Sequence, residues 1–522
     1  MIREISRRKC LRLWLCKSEY MGRTKWENRF VLLRFRKKNY MMFLKDLKRF
    51  KMERLYDKLK AYSESDFYAF HMPGHKRNKA LLGIELPYDL DITEIDGFDD
   101  LHHADGILKE EQERAARVFG AEESHFLVNG STAGILSAVM GCTHRGDKIL
   151  VARHCHKSIY HAIYMNGLVP RYVYPEFDIS MHMNGEISKE DVAKALAAEP
   201  DIKAVVIVSP NYDGVVSDVK GIAEVAHSYR IPLIVDEAHG PHFGFHPAFP
   251  GRANDLGADV VINSLHKTLP SLTQTAILHI NGKIVNRRRI KKYLDMLQSS
   301  SPSYIFMASL DACVDFVDGK CENAFELYVE RLQKFREELE PLQHLQILRT
   351  EHYDISKVVI STANANITSP ELAERLRKEY HLEMEMTGGT YVLAMTTVAD
   401  TQEGLDRLKA ALLEIDGQLE AKTAVSGSIE ISGELPRLEQ YFTPQEAADR
   451  EEDGEAEEIP WKESEGHISL EYAYLYPPGS PVIVPGERIS REAVELLCYY
   501  ETQNLQIEGI QTEGKIKVWK HE

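Results

Sequence analysis

From about residue 107 the chain alternates between two hydrophobic periodicities. Apolar positions spaced along one helical face predict helices at Leu108–Phe119 and Ala133–Cys142. Short apolar runs between such segments predict strands at His125–Val128, Ile149–Val151, Ala204–Val208, Ile231–Val235, Asp259–Asn263 and Ala276–Ile280. Leu233-Ile234-Val235 and Val260-Val261-Ile262 are continuous rather than alternating, the pattern of strands buried on both faces. Strands that take turns with helices imply a largely parallel, doubly wound α/β sheet. This unit is expected to end near residue 320, before a helix at Ala324–Leu339. A smaller C-terminal α/β unit follows, with strands at Val358–Ser361 and Tyr391–Ala394 and helices at Ser369–Glu379 and Gln402–Ile415. The acidic run Glu451–Glu458 reads as a solvated loop or helix face.

A length of 522 residues exceeds one ordinary domain. The division expected is an N-terminal arm and large domain at 52–320 and a C-terminal domain at 321–522. Charge sets residues 1–51 apart. The first fifty residues hold 16 Lys and Arg against 4 Asp and Glu, a net of +12, while the remainder carries −28. Residues 1–51 are therefore expected to stand outside the fold, first as an upstream translation start preceding the natural one, otherwise as a transit peptide or basic arm. The overall net charge of −16 argues against a nucleic-acid surface. No apolar run approaches the roughly 20 residues that span a bilayer. Seven scattered cysteines, odd in number and without a C-x-x-C pair, fit a reducing cytoplasm better than a disulfide framework or zinc site.

The chemistry concentrates at the ends of two buried runs. Asp236 closes Leu233-Ile234-Val235, and Lys267 follows Val260-Val261-Ile262 within Ser264-Leu265-His266-Lys267-Thr268. Open α/β sheets bind ligands at the carboxyl ends of their strands. A lysine and a buried carboxylate placed there suit pyridoxal 5′-phosphate (PLP): the lysine amine carries the aldehyde, and the carboxylate pairs with the pyridine nitrogen. Glu237 competes for that second role, but period-two geometry points it the other way. Ser264 and His266 offer phosphate donors. Asn129-Gly130-Ser131-Thr132-Ala133-Gly134 reads as a strand-to-helix turn, an anion site or an ordinary N-cap. Arg153-His154-Cys155-His156-Lys157-Ser158 follows another strand, where an imidazole could stack on a cofactor ring; no second ligand pair completes a metal site.

Taken in order, these strings resemble the Orn/Lys/Arg decarboxylase family of fold-type-I PLP enzymes, in its compact form without an N-terminal receiver-like domain. The resemblance covers roughly residues 52–522. It rests also on Phe70-His71-Met72-Pro73-Gly74-His75-Lys76, Asp91-Ile92-Thr93-Glu94, Cys155-His156-Lys157-Ser158, Ser300-Ser301-Pro302-Ser303-Tyr304 and Tyr476-Pro477-Pro478-Gly479. It implies that Lys267 binds the cofactor, Asp236 faces its ring nitrogen and His156 stacks on the ring. Ser131, Thr132, Ser264 and His266 would hold the phosphate. Family enzymes are dimers or larger with shared active sites, so Ser300 and Ser301 would reach a neighbour's cofactor. His239 and Ser480 depart from the commoner family pattern.

The activity implied is decarboxylation of lysine, arginine or ornithine to cadaverine, agmatine or putrescine, amines of polyamine biosynthesis, with no choice among the three. An aminotransferase, a β-eliminating lyase or a non-catalytic scaffold of the same fold are the alternatives. A basic substrate needs an acidic acceptor for its distal cation. Glu487, in Val484-Pro485-Gly486-Glu487-Arg488, is the candidate; its other reading is a surface pair with Arg488.

Overall fold

The computed structural model describes residues 54–520, apart from 82, 179–182, 423–433, 476–478, 503–504 and 506. The basic segment 1–51 and the Tyr476-Pro477-Pro478 string lie outside the described residues.

Seven strands form the main sheet: β1 (Glu123–Leu127), β2 (Lys148–Ala152), β3 (Val169–Val173), β4 (Val205–Val208), β5 (Leu233–Asp236), β6 (Val260–Asn263) and β7 (Ala276–Ile280). Their order is β1-β7-β6-β5-β4-β2-β3. β3, β2, β4, β5 and β6 run parallel, while β7 is antiparallel to both β6 and β1. β4 to β7 are buried at every position. Their apolar side chains each contribute about 1.5–3 kcal/mol on burial. The sheet is therefore read from continuous apolar runs, as expected. β3 was not anticipated, because Pro170 and Arg171 interrupt its pattern.

Helix Gly130–Cys142 packs closely on this sheet. A Cβ on Gly134 would meet Leu127 Cδ1 at 2.5 Å, so only glycine lets the helix lie so near. The smaller sheet joins β8 (Gln346–Ile347), β9 (Lys357–Ser361), β10 (Met386–Thr387) and β11 (Tyr391–Met395) in the order β8-β9-β11-β10, all antiparallel. Helices Ser369–Tyr380 and Gln402–Asp416 fall where the periodicity placed them. The first is closed by a capping box between Thr368 and Glu371. The expected boundary near 320 falls in the turn between helices Tyr304–Val317 and Glu322–Glu338, and the described residues from 54 to 520 lie in one compact unit. The acidic run ends helix Pro444–Glu452 and enters strand Ala456–Pro460, with Glu451 and Glu455 paired to Lys517 and Arg450.

Candidate active site

At the carboxyl ends of β5 and β6 the chain encloses a cleft of about 490 Å³. Asp236 is the last residue of β5 and lies in register with Ile262 on β6. Lys267 follows in the single turn Leu265–Thr268, which lifts its side chain over the sheet edge. Ser131, Thr132, His156, Asp236, Ser264, His266 and Lys267 all line it. Residues up to 136 positions apart thus meet because parallel strands all discharge at one edge.

The phosphate end is built from a helix start. Gly130 has φ of +72°, and its N–H is held by the Gln274 carbonyl at 3.0 Å. No side chain caps helix Gly130–Cys142, which leaves the N–H groups of its first turn open to an anion. The Ser131 and Ser264 hydroxyls are hydrogen-bonded to each other beside it. His266 donates from Nδ1 to the Thr275 carbonyl at 2.7 Å. Its Nε2 can then donate only as an imidazolium, a form that burial disfavours and a nearby dianion would favour.

His156 caps helix Lys157–Met165, its Nδ1 accepting from the Ser158 backbone N–H at 3.2 Å. The ring proton therefore sits on Nε2. Burial, then the Lys267 charge, pushes its pKa down to about 4, so it is neutral.

Asp236 is 3 % exposed and accepts one hydrogen bond, from the Ala238 N–H at 3.1 Å. Burial raises its pKa, opposed by the Lys267 charge. Among the described residues no ion pair holds it. A buried carboxylate in that state has room for a cationic N–H. Glu237, by contrast, turns away from the cleft. It accepts from Ala253 N–H at 2.8 Å and Asn263 Nδ2 at 3.0 Å, and burial pushes it up to about 8.

Lys267 is held below the ordinary lysine range by burial. Its Nζ lies 2.9 Å from His239 Nε2. The other ring nitrogen, Nδ1, lies 2.8 Å from the Nζ of Lys357. Tyr212 packs on the His239 ring with centroids 4.5 Å apart. Tyr212 and Lys357 were not anticipated, and Ser480 was expected only as a departure from the family pattern. Lys357 left one trace in the sequence, a lone charge opening the apolar run Val358-Val359-Ile360. Ser480 donates to the His154 carbonyl at 2.7 Å, docking the segment after Gly479 onto the His156 loop.

Two sets of expected residues do not line this chain's own cleft. Ser300 and Ser301 are exposed and do not line this cleft. Glu487 requires a correction. It is fully buried, with Oε2 accepting from Arg153 Nη2 at 2.9 Å and from the Val484 N–H at 2.8 Å. Arg488 pairs instead with Glu439 at 3.1 Å. Glu487 therefore neither faces the cleft nor forms the adjacent surface pair. It neutralises a buried guanidinium whose charge it and the surrounding tyrosines favour against burial.

The sheet order, with a lysine and an aspartate delivered at neighbouring strand ends, defines the class: this is the fold of fold-type-I PLP-dependent enzymes. More narrowly, the chain belongs to the Orn/Lys/Arg decarboxylase family. The family's major domain matches residues 53–421 and its C-terminal domain matches 433–514. The arginine decarboxylase of Bacillus subtilis (strain 168) is 33% identical over 471 residues, covering 87% of this chain and 95% of that protein. That of Bacillus anthracis is 32% identical over 487 residues, covering 89% and 97%. In fold the chain is similar to lysine decarboxylase A from Pseudomonas aeruginosa, with a TM-score of 0.77, 23% identity, and coverage of 92% of this chain and 81% of that one.

Proposed function

We propose that this enzyme decarboxylates a basic amino acid with PLP bound at Lys267, releasing the amine and CO₂. The observation that carries this reading is the cleft itself: a lysine, a buried carboxylate with no ion pair among the described residues, and an uncapped helix start converge there. That donor set fits PLP. Lys267 would hold the aldehyde, Asp236 the ring nitrogen and His156 the ring face. Ser131, Thr132, Ser264, His266 and the helix start would hold the phosphate. When bound, the ring withdraws the electron pair left behind as the carboxylate departs.

The chain's own residues set the conditions for that chemistry. Desolvation keeps Lys267 readily deprotonated, as an amine nucleophile requires. The Asp236 carboxylate, walled from water, stays as the acceptor for a ring N–H. The neutral His156 presents Nε2–H to the cleft, where it can place a proton.

The Bacillus subtilis and Bacillus anthracis relatives matched over 95% and 97% of their length are named arginine decarboxylases, which makes arginine, with agmatine as product, the first substrate to assay. CO₂ release from arginine, lysine and ornithine, with identification of the amine, tests the reading. A keto acid as product would replace it with transamination. Asp236→Asn preserves shape but removes the charge opposite the ring nitrogen. A loss in kcat of about a hundredfold or more is expected, on the scale of one strong electrostatic contributor. Near-normal kcat would assign that work to another group.

We further propose a cytoplasmic homodimer serving polyamine biosynthesis, with Ser300 and Ser301 contributing to the partner's site. The described cysteines are unpaired, which suits a reducing compartment. Among the described residues no helix is long and apolar enough to cross a membrane. The N-terminal arm exposes Phe67, Tyr68, Phe70 and Met72, with Phe70 at 89 %, a surface that a second copy would cover. Light scattering is expected to give twice the chain mass. Phe70→Glu should shift the population toward single chains, and an unchanged mass would remove the arm from the interface.

A further inference from the structure

Lys357 is fully buried, and among the described residues its amine has one hydrogen-bond partner, His239. No carboxylate lies within ion-pairing distance of it among the described residues. Asp354, the nearest candidate in sequence, is occupied by His242 at 3.1 Å and by the Ser356 hydroxyl at 2.7 Å. A buried lysine without an anionic partner is costly, and the fold has made room for it. Gly214, at φ of +108°, leaves open the space beside the Lys357 stem: a Cβ there would meet Lys357 Cγ at 2.8 Å.

The three nitrogen groups form one line: Lys267 Nζ, the His239 ring, Lys357 Nζ, with spacings of 2.9 and 2.8 Å. Donor counting restricts their protonation. A neutral imidazole donates from one nitrogen and accepts at the other, whereas an ammonium donates only. With two ammonium groups, one would face the ring N–H with nothing to accept it. At least one of the two lysines is therefore neutral in this arrangement.

We propose that His239 and Lys357 form a proton relay that empties and refills the Lys267 amine. Lys267, as ammonium, gives a proton to His239 Nε2. His239 gives its Nδ1 proton to the neutral Lys357 amine. Lys267 is left with a free electron pair, the imidazole has changed tautomer, and Lys357 carries the charge. The reverse returns the proton, and no water or outside base is needed. Tyr212, packed on the ring and 5.9 Å from each amine, favours the cation at either end.

The surrounding charges bear on both ends. Asp236 and Glu385 favour the charge on Lys267, while Asp354, Glu385 and Asp213 favour it on Lys357. His156 and His266 also face the His239 ring, and burial holds it neutral well below its ordinary range. Burial, opposed first by Asp354 and reinforced by the Lys267 charge, brings Lys357 down to about 8, so it can exchange a proton near neutrality.

The relay rests on Lys267 being the cofactor's amine, and its test reads that amine without the cofactor. The full-length, cofactor-free chain is reductively methylated with formaldehyde and cyanoborohydride across a pH series, and labelling at Lys267 is read by peptide mapping. Lys357→Met and His239→Phe are each expected to raise the midpoint of Lys267 labelling by about one pH unit or more, a tenfold loss of neutral amine at pH 7. The double variant should shift no further than the larger single shift. Far-UV circular dichroism checks the fold, and Lys357→Gln gives the same reading should methionine disturb the packing. An unchanged or lowered midpoint in the Lys357 variants overturns the relay. A shift in Lys357→Met but not in His239→Phe also overturns it, leaving only a through-space charge effect. Borohydride reduction of the cofactor-loaded enzyme separately reports whether Lys267 holds the cofactor.

Discussion

Lys267→Ala is expected to abolish turnover, by roughly 10⁴-fold or more, the scale on which an enzyme loses its nucleophile. The alanine removes the buried amine that lines the cleft together with Asp236 and the helix start at Gly130. Borohydride reduction of the parent enzyme loaded with PLP should place the label on Lys267, and the variant should take up none. The fold should survive, because the side chain opens into the cleft and its amine bonds only His239 among the described residues. Label on another lysine, or turnover within tenfold of the parent, would falsify the assignment.

Glu487→Gln is expected to act on stability rather than on substrate choice. The change leaves the Arg153 guanidinium, itself 0 % exposed, without its carboxylate. Breaking a buried pair by removing one partner costs about 3–5 kcal/mol, because the remaining charge stays desolvated. A lower midpoint in denaturant is therefore expected, with KM for arginine, lysine and ornithine unchanged in the enzyme that remains folded. Replacing both partners, as Arg153→Met with Glu487→Leu, should restore much of the loss, since it leaves no orphaned charge. A raised KM with unaltered stability would return Glu487 to the substrate site.

The two predictions differ in how much of each residue's role was legible. Lys267 and Asp236 stood at the ends of runs too apolar to be anything but buried strands. Strand ends are where such sheets place their ligands, so local pattern was enough to bring the two residues to one edge. The phosphate turn and His156 follow the same logic, each at a strand-to-helix junction of the same sheet. Glu487 was misread because its loop shows only its neighbours in sequence. Its partner Arg153 lies 334 residues away, and only the docking of the C-terminal segment on the main sheet joins them.

Lys357 belongs to the same group. It opens a strand of the smaller sheet, and its amine reaches the site only because that strand's start meets His239, just past β5's carboxyl end. Periodicity along the chain therefore determined the parallel sheet, its strand ends and the residues delivered there, because burial on both faces writes itself into every position of a strand. The partners of buried charges were decided by tertiary structure alone. Pairing depends on which elements meet in space, and a residue's sequence neighbours carry no record of that meeting.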